Sequence, residues 1–131
     1  EAQDNILVHD AARCCLPAEA LTRLLDEAGE NDEGGILAIP VADTLKRADG
    51  SHHIDETVAR AGLWQAQTPQ LFQTALLNRA LSVDDLSEIT DEASAVEKLG
   101  IRPRLVPGDT RNLKLTLPQD EYIVRLLLKA V

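Results

Sequence analysis

Apolar residues fall along this chain in two kinds of pattern, and each predicts a different element. Residues 5–9 (NILVH) and 35–42 (GILAIPVA) are unbroken apolar runs, which predict short strands buried in a sheet. Pro40 sets a bend or a sheet edge near the end of the second run. Between them Leu21, Leu24, Leu25 and Ala28 recur at i, i+3, i+4 and i+7, which predicts a helix opened by Pro17. Gly34-Gly35 ends that connection. Residues 69–81 (PQLFQTALLNRAL) predict a second helix, with Pro69 at its start and Phe72, Leu76 and Leu77 on one face. Residues 90–100 (TDEASAVEKLG) predict a third, capped by Thr90, with Asp91 and Glu92 at the positive end of its dipole and Gly100 as its stop. RPRLVPG (102–108) and NLKLT (112–116) read as strands. PQDEYIVRLLLKAV (118–131) reads as a closing helix with Ile123, Leu126, Leu127 and Ala130 inward.

Residues 43–67 break the pattern. DTLKRADGSHHIDETV is polar throughout, with a turn at ADGS, and predicts a β-hairpin arm with little core of its own. Such an arm lies against something else, a second subunit being one candidate. Elsewhere strands alternate with helices, which predicts an α/β fold: a mostly parallel sheet covered on both faces. Ligands of such sheets sit beyond the carboxyl ends of the strands. His9, Asp10 and Arg13 follow the end of the first predicted strand and are therefore placed for chemistry.

Composition narrows the classes. At 131 residues the chain has the length of one ordinary domain. A net charge of −9 argues against a general nucleic-acid or anionic-membrane binder, which needs a broad basic field. No apolar stretch approaches the roughly 18 residues that span a bilayer. Adjacent Cys14 and Cys15 make a poor disulfide framework, which favours a reducing cytoplasm. They also lack the spacing that turns two thiolates toward one zinc ion, and His52-His53 beside the hairpin turn is an equally weak metal site.

In an acidic chain, any anionic ligand must be held by local cations. Asp10 suits a divalent metal, directly or through water, or a substrate hydroxyl, and equally an Asx-turn after the strand. Arg13 has the planar fork that grips phosphate oxygens, although a solvated surface arginine is as common. His9 is either a general base or, more often at a strand end, a structural hydrogen-bonder. Thr44, Lys46, Arg47 and Arg60 make the arm basic, which either delivers cations to a substrate or discourages edge pairing. Lys114 alternates with Leu113 and Leu115, so it either faces water or neutralises a phosphate if that segment ends near Asp10. Thr90 opens ITDE, a helix start that caps or binds an anion.

Five stretches go further together: LVHDAAR (7–13), PVADTLKR (40–47), TVARAGLWQAQTPQ (57–70), ITDEASAVE (89–97) and GDTRNLKLT (108–116). In this order they resemble the 2-C-methyl-D-erythritol 4-phosphate cytidylyltransferase family. Cys14 departs from the family's usual proline, and the segment between LLNRAL and ITDE is short. The resemblance implies a Rossmann-like sheet with a protruding hairpin arm, and transfer of CMP from CTP to 2-C-methyl-D-erythritol 4-phosphate in non-mevalonate isoprenoid synthesis. It implies Mg2+ as cofactor, with Asp10 near the metal, directly or through water. It places Asp10, Arg13, Thr44, Thr68, Thr90 and Lys114 at the polyol phosphate, Ala11 and Arg13 at the nucleotide, and Arg60 and Lys114 in catalysis. Thr44 and Arg60 would come from the arm of a partner in a homodimer. It also implies that residues 1–131 are the C-terminal portion of one nucleotidyltransferase domain, without the glycine-rich CTP-binding portion. Two alternatives remain open: a related nucleotidyltransferase for another polyol phosphate such as ribitol 5-phosphate, and a non-catalytic dimerisation or anion-binding module.

Overall fold

In the computed structural model the described residues are 3–83 and 86–130. Val131, the last residue of the predicted closing helix, and Asp84 and Asp85 in the short segment before ITDE lie outside them.

Four strands make the main sheet: β1 (Asn5–Val8), β5 (Trp64–Gln73), β2 (Gly35–Pro40) and β6 (Arg104–Pro107), side by side in that order. β6 runs parallel to β2, while β5 runs antiparallel to both β1 and β2. Three strands thus share one direction and the long central β5 opposes them, giving a mixed α/β sheet. β3 (Leu45–Ala48) and β4 (Ile54–Val58) pair with each other as a separate hairpin, exposed over nearly all its length. The hairpin lies within the arm predicted over 43–67, but residues 64–67 of that range belong to β5, where Trp64, Gln65 and Ala66 pair with β2. Its turn is fastened by Asp49, whose Oδ1 accepts from the backbone N–H groups of Ser51 and His53, and these bonds hold the Asp49 carboxyl below its ordinary range.

Alternation along the two central strands divides the core. Ile36, Ala38 and Phe72 turn to one face, under α2 (Thr74–Leu81) and α3 (Glu92–Glu97), with Leu76, Leu77, Ala93, Ala95 and Val96. Leu37, Leu71 and Val106 turn to the other, under Ala20, Leu24 and Ala28 of α1 (Ala18–Ala28). The period of two in the strands meets the period of nearly four in the helices, so helices cover both faces. Two glycines permit this. Gly34 has φ +75°, and a Cβ on Gly35 would lie 2.5 Å from the Cβ of Ala28, so α1 approaches β2 where no side chain fits.

Several expectations are corrected. β1 is alternately exposed and half-buried: β5 flanks it on one side and no strand among the described residues pairs on the other. Residues 69–73 are strand: Gln70, Leu71, Phe72 and Gln73 pair with β1, and the helix starts at Thr74. Phe72, Leu76 and Leu77 do share a core, though from two different elements. Pro69, which has no N–H to give a ladder, sits where the β2–β5 register is irregular. NLKLT is not a strand. Asn112 N–H closes a turn onto Asp109 O, and Leu115 N–H bonds Ala12 O. Asp91, not Thr90, caps α3 through a reciprocal box with Ser94. In α4 (Asp120–Lys129) Val124 faces inward, while Ile123 and Leu126 are about half exposed, because the Cys15 segment packs at Val124.

Candidate functional site

The site grows from an irregularity in the central strand. β2 pairs Ile36 with Gln70 and Ala38 with Ala66, so four residues of β5 advance while two of β2 do. A bulge of this kind releases backbone groups from the ladder and re-aims side chains. The released stretch is Gln67-Thr68-Pro69, with a cis peptide between Thr68 and Pro69. β1 ends opposite it, where Val8 pairs with Gln70, so His9 and Asp10 leave the sheet against Thr68.

Thr68 holds both. Asp10 N–H donates to Thr68 Oγ1 at 2.9 Å, and His9 Nδ1 lies 2.9 Å from the same oxygen. His9 Nε2 is 2.9 Å from the Arg13 carbonyl, which can only accept, so Nε2 carries the proton. In the neutral ring Nδ1 then accepts from the Thr68 hydroxyl. His9 has both nitrogens engaged and is a brace for the 9–13 turn, which also closes through Arg13 N–H to Asp10 O. The arginine side chain is fixed: Nη1 donates to Asn112 O at 2.7 Å and Nε to Asp10 Oδ2 at 3.3 Å, leaving it 12% exposed. Ala11 is exposed on the same turn.

Lys114 completes the cluster, with Nζ 4.0 Å from Asp10 Oδ2 and the side chain 54% exposed. One carboxylate therefore faces two cations at the mouth of a strongly acidic chain. The two cations differ in kind. Arg13 is locked by geometry, whereas an exposed pair such as Lys114–Asp10 is worth about 0–1 kcal/mol, so the ammonium is free to turn to another anion.

The turn carrying Lys114 is built by a second ion pair. Arg111 grips Asp109 through Nε and Nη2 at 2.9 and 2.8 Å, and its N–H donates to the same carboxylate. This bidentate grip holds the Asp109 carboxyl down at about 2 and pushes the Arg111 guanidinium up.

Four of the residues named from the sequence are thus brought together: Asp10, Arg13, Thr68 and Lys114. Among the described residues Thr90 makes no hydrogen bond or ion pair to them; its N–H donates to Ser94 Oγ. It stands one residue before the α3 cap, and α3 is tied to β5 by Gln70, which donates to Asp91 Oδ2 at 2.9 Å and accepts from Ala93 N–H at 3.0 Å. Thr44 and Arg60 also stand apart. Thr44 is exposed at the foot of the arm, and Arg60 bonds Val41 O beside a cavity of about 930 Å3 that Asp43, Gln65, Asp109 and Thr110 help line. Among the described residues neither makes a hydrogen bond or ion pair to Asp10, Arg13, Thr68 or Lys114.

Three residues of the site were not singled out by sequence: Gln67, Gln70 and Asn112. All are buried polar groups, and their partners are mostly backbone groups. For Gln67 and Gln70 the one outward sign is the amide-rich spelling QTPQ (67–70), and Asn112 carries none. The thiols are bystanders to this cluster. Cys14 and Cys15 are free, burial pushes the Cys15 thiol up, and both line a separate cavity of about 640 Å3 with Leu127 and Leu128. No group of three His, Cys, Asp or Glu side chains among the described residues is arranged to hold a metal. No helix among them is long and apolar enough to cross a membrane.

Fold and site define an α/β domain with a carboxylate–cation cluster beyond its strand ends. The chain belongs to the 2-C-methyl-D-erythritol 4-phosphate cytidylyltransferase family, whose model (IspD: 2-C-methyl-D-erythritol 4-phosphate cytidylyltransferase) matches residues 1–130. It is 74% identical over 128 residues to the protein of that name from Neisseria gonorrhoeae (strain NCCP11945), an alignment covering 98% of this chain and 56% of the relative. The crystal structure of a 4-diphosphocytidyl-2C-methyl-D-erythritol synthase superposes with TM-score 0.92 at 70% identity, over 98% of this chain and 58% of that one. The Francisella tularensis 2-C-methyl-D-erythritol 4-phosphate cytidylyltransferase superposes with TM-score 0.88 at 32% identity, over 97% and 60%. The chain thus spans somewhat over half the length of the relatives it matches.

Proposed function

We propose that this chain supplies the polyol-phosphate side of an enzyme that transfers CMP from CTP to 2-C-methyl-D-erythritol 4-phosphate. The observation that carries this reading is Lys114 and Arg13 flanking Asp10 beside Thr68, a local anion site in an acidic chain. A phosphate oxygen of the acceptor attacks the α-phosphorus of CTP, a new P–O bond forms, and the bond to pyrophosphate breaks. Little covalent work falls to the protein, so its contribution is alignment and charge. Lys114 turns from its weak pair with Asp10 to the acceptor phosphate and aims it. Arg13, held by Asn112 and Asp10, presents a fixed positive charge at the boundary of nucleotide and acceptor, with Ala11 beside it. Asp10 accepts from the polyol hydroxyls, Thr68 fixes Asp10, and Thr90 meets the acceptor from the α3 side.

Mg2+ fits this arrangement in a limited way. Asp10 offers one carboxylate whose Oδ1 takes none of the bonds described, and Mg2+ commonly uses one or two carboxylates together with substrate phosphates and water. When bound, the ion would neutralise triphosphate charge, with Asp10 as its ligand directly or through water. The CTP phosphates are held by the portion of the relatives' length that this chain does not span.

The arm finds its place in a homodimer. Its strands pair with each other and bury little, and Thr44 and Arg60 flank them, one just before β3 and the other two residues after β4. A two-fold axis that lays each hairpin on the other subunit covers it and delivers Arg60 to the partner's acceptor.

A hybrid tests the reading: the gonococcal relative with its matching 128 residues replaced by those of this chain. Pyrophosphate release from CTP should require 2-C-methyl-D-erythritol 4-phosphate, and acceptor-independent release or none refutes the assignment. For the arm, hybrids bearing Arg60→Ala and Asp10→Ala, each inactive alone, are mixed and allowed to exchange. A mixed dimer has one site with both changes and one with neither, so activity should approach about a quarter of the unsubstituted value. Demonstrated exchange without recovery excludes the shared site.

A further inference from the structure

We propose that Asn112 is a positioning residue, the pin that sets Arg13 and the Lys114 segment against the strand carrying Thr68. The proposal rests on the functional reading above, which uses only the backbone oxygen of Asn112, and gives a role to its side chain.

Asn112 is fully buried at the meeting point of three segments. Its Nδ2 donates to Thr68 O at 2.7 Å and to Gln67 Oε1 at 3.2 Å, so both amide hydrogens go to the bulge of β5. Its own backbone oxygen takes Arg13 Nη1 at 2.7 Å. Two residues on stands Lys114, and Leu115 N–H then bonds Ala12 O, returning the segment to the 9–13 turn. The bulge, the arginine and the lysine are therefore referred to one residue. Gln67 reinforces it from the other side, its Nε2 donating to Asp109 O at 3.1 Å.

Its Oδ1 sharpens the point. That oxygen is buried and has no hydrogen-bond partner among the described residues. Burying an acceptor without a partner costs stability, and an apolar residue of the same branching, such as leucine, would avoid that cost. An asparagine here is poorly explained by packing. It is well explained by the need for two amide hydrogens aimed at a bulged strand, which no apolar residue supplies.

The test uses the hybrid enzyme with Asn112→Leu, which keeps the branching and the backbone oxygen but removes both donors. KM for the acceptor should rise at least tenfold and kcat should fall, while KM for CTP stays within about twofold. In a Lys114→Ala background the same substitution should cost at least threefold less, because part of its effect passes through that lysine. Unchanged acceptor KM, or equal losses in both backgrounds, overturns the proposal. If Asn112→Leu does not fold, Gln67→Met, which removes one of the two acceptors and the Asp109 tie, should give the same pattern in weaker form. A readout independent of turnover separates this proposal from the functional reading. The Arg13 Nε–H signal, assigned by its loss in Arg13→Lys, should exchange slowly with solvent in the unsubstituted protein and quickly in Asn112→Leu. If the hybrid fails to turn over, that signal still decides the case: equal exchange in both proteins refutes the positioning role.

Discussion

Replacing Gln70 by methionine tests how the central strand holds α3. The side chain is 1% exposed and makes three hydrogen bonds: Nε2 to Gln67 O at 3.2 Å and Asp91 Oδ2 at 2.9 Å, and Oε1 from Ala93 N–H at 3.0 Å. Methionine has nearly the same length and volume, so little cavity forms, and the cost is that of the groups left behind. Ala93 N–H is the most expensive, since it is buried in the first turn of α3. The Gln67 carbonyl loses one partner inside the bulge. The Asp91 carboxylate suffers less, because it is partly exposed and its Oδ1 keeps Ser94 N–H. With about 1–3 kcal/mol for an orphaned buried group and less for one that water can reach, the sum is about 2–4 kcal/mol. Urea unfolding of the hybrid should show that loss as a lower midpoint at unchanged slope. Amide exchange at Ala93 should accelerate with it. Gln65→Met, on the exposed part of the same strand, should change stability by no more than about 0.5 kcal/mol. A loss below about 1 kcal/mol for Gln70→Met would mean that water replaces these bonds, and the strand would not be what fixes α3.

Two further outcomes follow from the charges. The folded-state pKa of Asp109, about 2, lies below its ordinary 3.8, so the carboxylate stabilises the fold above that ordinary value and the contribution disappears as pH falls toward 2. Asp109→Asn should therefore flatten the decline of the urea midpoint between about pH 4 and pH 2, and an unchanged decline refutes the Arg111 grip as its source. Lys114→Ala should raise acceptor KM and lower kcat by at least about tenfold with CTP binding nearly intact, and Lys114→Arg should rescue in part, since a planar fork replaces a compact ammonium. Unaltered acceptor kinetics in the alanine variant would return Lys114 to a solvated surface role.

Legibility from the sequence varied with the physics of each element. GILAIPVA became β2 over Gly35–Pro40, a hairpin formed around the ADGS turn although residues 64–67 of the expected arm went to β5, and Gly100, with φ +83°, stands just past the end of α3. Residues 69–73 were misread because an apolar pair followed by helix formers fits either period, and only pairing with β1 decides. NLKLT alternates like a strand, yet its backbone bonds go to the 109–112 turn and to Ala12, which no periodicity can reveal. In α4 the spacing identified the helix but not its inward face, which depends on where the Cys15 segment packs. The site followed the same rule. Asp10, Arg13, Thr68 and Lys114 were legible through their motifs. Gln67, Gln70 and Asn112 were not, because their partners are largely backbone groups, several of them freed by a bulge in β5.

Acceptor choice is the most direct measurement. In the hybrid, kcat/KM at saturating CTP is compared for 2-C-methyl-D-erythritol 4-phosphate and ribitol 5-phosphate, with product formation followed by the 31P signals of the new diphosphate. The cluster of Asp10, Arg13, Thr68 and Lys114 should serve the methylerythritol phosphate, with kcat/KM at least a hundredfold above that for ribitol 5-phosphate. Comparable or reversed values, or a diphosphate product that forms unchanged when Asp10 and Lys114 are both replaced by alanine, would contradict that assignment.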